Sequence, residues 1–267
     1  MITITDIAIN HATIRKQADM TRFIELCVER DIKTISIWGD EVDRVGERTV
    51  LPVLQEIGLR VLGYNRLGPF EPKFLDRTRM ELERAARFGA DHVMVFTGGI
   101  PGGQRDLATL RRQHEDCIGK LRDEAASFGV TLALEPLHPM LFGDRTTLAS
   151  LSRANDLCDA LGEGVGIVID VHHVWWDERL EAEVARAGAA RRIVGFHVND
   201  WLLPTKHLLR DRGMMGDGII DLAAIERMVR RAGYGGPIEV EIFSDDWDSR
   251  APETVLDIAI ERCLAIF

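Results

Sequence analysis

Short apolar runs alternate with longer amphipathic stretches along the whole chain. The runs are rich in Val and Ile and read as strands buried on both faces. The stretches between them repeat apolar positions at helical spacing and read as helices with one buried stripe. The pattern predicts strands over 3–10, 34–39, 59–65, 91–99, 130–136, 165–171, 192–200 and 237–243. It predicts helices over about 15–30, 45–57, 74–88, 107–128, 147–161, 177–187, 222–232 and 252–266, several of them stopped by glycines such as Gly58, Gly89, Gly129 and Gly162. Strands and helices that alternate in this way imply parallel βαβ units throughout. Eight such units in 267 residues match a single α/β domain, a (β/α)₈ TIM barrel over residues 1–267. A doubly wound open sheet would carry a glycine-rich fingerprint after its first strand, and the residues there, NHATIR, do not supply one.

The strand-to-helix links are the long ones. Those over 98–106, 136–145 and 200–218 fall on the C-terminal face of such a barrel, where sites are built. The last is long enough to serve as a lid. Its Gly213, Gly216 and Gly218 suit a hinge, and Arg212 would be carried to a substrate on closure. The GGIPGG segment in the first link offers free backbone N–H groups but lacks the GK[ST] ending of a phosphate-binding P-loop.

Composition narrows the setting. A hydrophobic content of 46% with 28% charged residues is that of an ordinary soluble protein. No apolar run approaches the roughly 18 residues of a membrane span. The N-terminus, without a basic start, reads as a strand, which points to the cytoplasm. A net charge of −10 argues against nucleic acid as a partner. Homo-oligomerisation is compatible with all of this. Cys27, Cys117, Cys158 and Cys263 are far apart in predicted helices and read as free thiols.

The chemistry gathers at the strand ends. In VGIVIDVHHVWW (165–176) an apolar run leads straight into Asp170. A carboxylate there must cap a helix, pair, or bind a metal, since an isolated one is too costly to bury. The pattern recurs on neighbouring strands, with Glu135 ending strand five, His197 on strand seven, and Glu239 and Glu241 on strand eight. The last two share a strand face, and Glu241 is nearer the C-terminal rim, so Glu241 is assigned to the metal and Glu239 to holding a ligand or pairing with an Arg. Glu135, Asp170, His197 and Glu241 together suit one divalent ion of the oxygen-loving kind, Mn²⁺ or Mg²⁺. His138 lies three residues past Glu135 and is a substrate-binding candidate or a hydrogen-bonded loop histidine, while His172 alternates away from His173 and reads as packing. Trp38, Trp175, Trp176, Trp201 and Trp247 all follow strand C-termini. They cap the core or form an aromatic mouth that stacks on a sugar, and Trp38 and Trp176 are taken as substrate contacts.

The segments LALEPLHP, IDVHH, FHVND and EVEIF together resemble the metal-site signatures of the xylose isomerase-like barrel superfamily, and most of all its sugar (phosphate) isomerase and epimerase branch. The resemblance covers essentially the whole chain. It implies one divalent metal on Glu135, Asp170, His197 and Glu241, and a substrate-binding role for His173, three residues after the metal Asp. The family's Arg six residues past the metal His is Leu203 here, and Arg210 or Arg212 is the available replacement. The expected activity is a metal-dependent isomerase or epimerase of a small keto-sugar or hydroxy-ketone, working through an enediolate with Glu135 and Glu241 as catalytic base and acid. The alternatives are a metal-dependent lyase or dehydratase on an oxidised sugar, cyclitol or glycoside, a repair nuclease of the endonuclease IV type, which the acidic charge opposes, and a non-catalytic subunit on a retained barrel. The expected partner is a small carbohydrate, with neither nucleic acid nor membrane.

Overall fold

A computed structural model describes residues 2–68 and 74–267. Eight parallel strands close a barrel: β1 (Ile7–Asn10), β2 (Thr34–Trp38), β3 (Arg60–Leu67), β4 (His92–Val95), β5 (Thr131–Leu134), β6 (Val165–Asp170), β7 (Ile193–Val198) and β10 (Ile238–Val240). The two remaining strands, β8 (Asp200–Trp201) and β9 (Arg212–Gly213), pair antiparallel above the rim. The major helices are α1 (Met20–Glu29), α2 (Gly39–Val45), α3 (Glu47–Ile57), α4 (Phe74–Arg87), α5 (Leu107–Ser127), α6 (Leu151–Leu161), α8 (Leu180–Ala189), α9 (Leu222–Arg231) and α10 (Pro252–Ile266), with a single turn, α7 (Val171–Val174), after β6. The eight-stranded barrel expected from the alternation is the one found.

Side-chain oxygens start the helices where the pattern begins. Asp19, Asp106, Ser150 and Asp221 accept hydrogen bonds from the N–H groups of Arg22, Thr109, Arg153 and Ala224. Met94, Ala133 and Val168 from β4, β5 and β6 pack together as a small apolar cluster, apart from the larger apolar core to which every helix with described burial contributes. Above the inner cluster the strand ends turn polar, and this change of character places the site.

Three local departures follow from backbone chemistry. The helix expected over 45–57 is α3, and a further helix, α2, fills the link expected before it; the chain turns between them at Gly46, whose φ is +100°. The α7 turn arises where a loop was expected, because Asp170 accepts a hydrogen bond from the N–H of His172 at 2.9 Å. Strand one is shorter than expected, with residues 4–6 in a 3₁₀ turn instead. Cys27, Cys158 and Cys263 are buried free thiols in helices, and Cys117 is free and half-buried. Among the described residues no helix is long and apolar enough to cross a membrane.

Candidate metal centre

Four neighbouring strands deliver four ligand-type side chains to one point. Asp170 ends β6 and is level with His197 on β7, while Glu135 and Glu241 each lie one residue beyond the end of their strand. All four are buried, and one ligand atom from each lies within 4.8 Å of the others. Among the described residues this is the only such group. His197 Nδ1 and Glu135 Oε1 are 3.4 Å apart, yet neither makes a hydrogen bond. Two buried polar atoms left facing each other, in a set of three carboxylates and an imidazole, are what a cation between them would satisfy. The residues therefore fit a divalent ion.

The supporting contacts fix each ligand. Glu239 is level with His197 on the adjacent strand, and its Oε2 lies 3.3 Å from His197 Nε2. This leaves Nδ1 for the centre. Glu239 thus takes the ligand-holding role, and no Arg pairs with it among the described residues. Asn10, at the end of β1, ties the glutamates together. Its Nδ2 donates to Glu239 Oε1 at 2.8 Å and Glu241 Oε1 at 3.0 Å, while its Oδ1 accepts from Trp38 Nε1 and Ala12 N. Asp170 caps the α7 turn and is held on both oxygens: Oδ1 accepts from His172 N and Asn199 Nδ2, and Oδ2 accepts from Arg212 Nη1. Replacing Asn10 with Ala removes the shared donor from two buried carboxylates. The expected result is a loss of about 1–3 kcal/mol in stability, read by urea unfolding of the metal-free protein. An unchanged midpoint and slope would show that the bridge contributes nothing.

The charges are strongly coupled. Burial, reinforced by the neighbouring Glu241 and Asp170, pushes Glu135 up to about 7. Burial would also raise Asp170, but the charges of Arg212, His197 and His172 hold it below its ordinary value. For His197 burial opposes the charged form, and Glu239 foremost among the surrounding carboxylates overcomes it, raising the imidazole well above its usual range. His173 goes the other way, mainly through burial. Its Nδ1 accepts a hydrogen bond from His138 N at 3.1 Å.

A cavity of about 600 Å³ opens over the centre. Glu135 and Glu241 line it, together with Trp38, His173 and Arg212, whereas Asp170 and His197 do not. Arg212 is buried, with Nη1 donating to Asp170 Oδ2 at 2.9 Å and to Glu241 Oε2 at 2.8 Å. Two of the expected substrate contacts lie elsewhere. The His138 ring stacks on Trp201 at 4.8 Å and meets Trp176 edge-on, and neither His138 nor Trp176 lines the cavity. Trp175, Trp201 and His172 complete this aromatic cluster, which caps the barrel beside the site. Trp38 is therefore the one tryptophan on the cavity wall among the described residues, and Phe96 and Phe243 supply the rest of its aromatic surface.

The loop over 200–218 is also not a free lid. The buried carboxylate of Asp200 accepts N–H groups from Trp201, Gly216, Gly218 and Ile220, and Arg212 N donates to Phe243 O. A Cβ at Gly218 would lie 2.3 Å from Trp201 O, and one at Gly213 2.7 Å from Leu202 Cδ2. Close packing accounts for these glycines, and a hinge is not needed. Asn10 beside the centre and Arg66 on the cavity wall were not singled out in the sequence. Asn10 carried the same signal as the four ligands, a polar residue ending a buried strand; Arg66 carried none.

The model of the xylose isomerase-like TIM barrel family matches residues 19–264. The chain belongs to this family. A solved protein from Sinorhizobium meliloti 1021 superposes with a TM-score of 0.96 at 40% identity, covering 99% of both chains. The IOLI protein, solved with a bound zinc atom, superposes at 0.85 with 20% identity over 97% of both, a likeness of fold. The inosose isomerase of Bacillus velezensis is 26% identical over 161 residues, 59% of this chain and 55% of the relative. The match thus spans about half the length of that curated relative.

Proposed function

We propose that this barrel is a divalent-metal-dependent isomerase or epimerase of a small keto-sugar or hydroxy-ketone, with Mn²⁺ or Mg²⁺ on Glu135, Asp170, His197 and Glu241. The observation that carries the reading is the division of labour at the centre, where all four side chains converge but only the two glutamates line the cavity. The partly matching inosose isomerase supports a small carbohydrate as substrate. A cytoplasmic location fits the same reading.

A divalent ion held there would polarise a carbonyl and acidify the neighbouring C–H. Glu135 and Glu241 come from different sides of the barrel and present carboxylates to the cavity, so one removes a proton from the substrate carbon and the other returns one. His173 and Arg212 line the cavity side by side, with Arg212 Nη2 3.3 Å from His173 Nε2, and both bind a substrate oxygen. Arg212 thereby offsets negative charge that develops on the substrate. Trp38 forms a flat wall for the apolar face of the sugar.

The test is a Mn²⁺ titration of metal-stripped protein across pH, followed by assay against inososes and keto-sugars. A Glu135 that holds its proton up to about pH 7 and a His197 that is charged in the metal-free protein must both lose protons to act as ligands. Affinity is therefore expected to fall at least about tenfold for each pH unit below 7. A pH-independent affinity, or no binding at any pH, would remove the metal from the reading.

A further inference from the structure

The cavity carries more positive charge than its metal end uses. Arg15, Lys16, Arg66, Arg145, Arg210 and Arg212 all line it. Most of these are committed. Arg15 lies 3.2 Å from Glu41, Lys16 2.6 Å from Asp248, Arg210 3.5 Å from Asp245, and Arg212 holds Asp170 and Glu241.

Arg66 is different. Its guanidinium sits against two aromatic faces, 5.7 Å from the Trp38 ring and 5.0 Å from the Phe96 ring. Among the described residues no carboxylate oxygen lies within 4.0 Å of it. Burial lowers its pKa, the charges of Asp40 and Glu135 raise it, and those of Arg145 and Arg15 lower it. A partly desolvated cation with no carboxylate in contact is costly by itself. Arg145 approaches from the β5 loop, where its guanidinium meets only its exposed neighbour Asp144, at 3.2 Å. That loop is firmly placed. Ile100 N donates to Gly143 O, Arg145 N donates to Leu141 O, and a Cβ at Gly99 would lie 2.4 Å from Asp144 O. Gly98 and Gly99 line the cavity beside these cations and present no side chain to compete for them.

We propose that Arg66 and Arg145 form an oxyanion subsite on the cavity wall, and that the sugar turned over here carries a carboxylate or phosphate group that reaches them. The proposal rests on the isomerase reading in that it needs the substrate in this cavity. Stacking between aromatic faces holds the Arg66 fork flat and leaves its N–H edge for two oxygens of one group.

Calorimetry on the full chain with glucose, glucuronate and a glucose phosphate ester tests it. At least one acid is expected to bind about tenfold or more tightly than glucose, the scale of a charge-assisted hydrogen bond. The tighter of the two acids names the group. Arg66→Met keeps the stacked stem and is expected to lose this preference while its affinity for glucose stays the same. Arg145→Met is expected to reduce the preference, and raised salt to weaken it in the wild type. Mn²⁺ titration of the same samples keeps the two readings apart, because failed Mn²⁺ binding strikes the isomerase reading and leaves the acid preference to be judged separately. Acids that bind no better than glucose, or a preference that survives in both variants, would overturn the subsite.

Discussion

Turnover in D₂O is expected to place deuterium on the reacting carbon of the product, and Glu135→Gln and Glu241→Gln are each expected to depress that exchange about 10²-fold or more. Two routes move a carbonyl next to a hydroxyl. A hydride shift between carbons needs no base at the reacting carbon. Proton removal needs one within roughly 3 Å of the C–H. Glu135 and Glu241 both face the cavity, from β5 and β10, so each can reach a C–H bond of a substrate held there. This geometry favours proton transfer. The variants are assayed at saturating Mn²⁺, so that lost binding is not mistaken for lost chemistry. Product free of deuterium, with both variants near wild-type rate, would exclude the glutamates as acid and base. A dehydrated product would shift the assignment to a lyase while leaving the two glutamates their roles.

The second large effect concerns the ligands. Asp170→Asn is expected to weaken Mn²⁺ binding about 100-fold or more, beyond the 10–100-fold cost of losing a supporting partner. The amide keeps an oxygen to accept from His172 N and Asn199 Nδ2, so the α7 turn and the barrel should survive. What is lost is the negative charge opposite Arg212 and at the centre. Calorimetric titration with Mn²⁺, alongside circular dichroism, measures both. An unchanged affinity in a folded variant would exclude Asp170 as a ligand, and a collapsed fold would show that its pairing with Arg212 is mainly structural.

The barrel was legible because each strand is a Val- and Ile-rich run and each helix keeps one apolar stripe, signals that do not depend on distant contacts. The quartet was legible for a related reason. Buried strands have few polar residues, so Glu135, Asp170, His197 and Glu241 stood out at their ends. The extra helix α2 was not legible, since its seven residues, GDEVDRV, hold too few apolar positions to show a stripe. The cavity wall was least legible, because lining depends on the paths of loops. Nothing local to His138 says that it packs between Trp176 and Trp201, or that Trp38 and Arg66 face the cavity. Arg212 was picked out for the right place by the wrong route, as a residue carried in by a moving loop, whereas it is held inside by Asp170, Glu241 and Phe243.

The Asp200 carboxylate, with its ring of backbone N–H donors, has a consequence for how such a protein can change over time. It separates the part of the loop that must stay from the part that is free to vary. Residues 211–215 are all buried and keep Arg212 aimed, whereas the tip before them carries Leu203 at 65% exposure and reaches the cavity only through Leu209 and Arg210. Insertions and substitutions at the tip can therefore reshape the mouth without disturbing the catalytic groups, so new substrates can be explored at little risk to the chemistry.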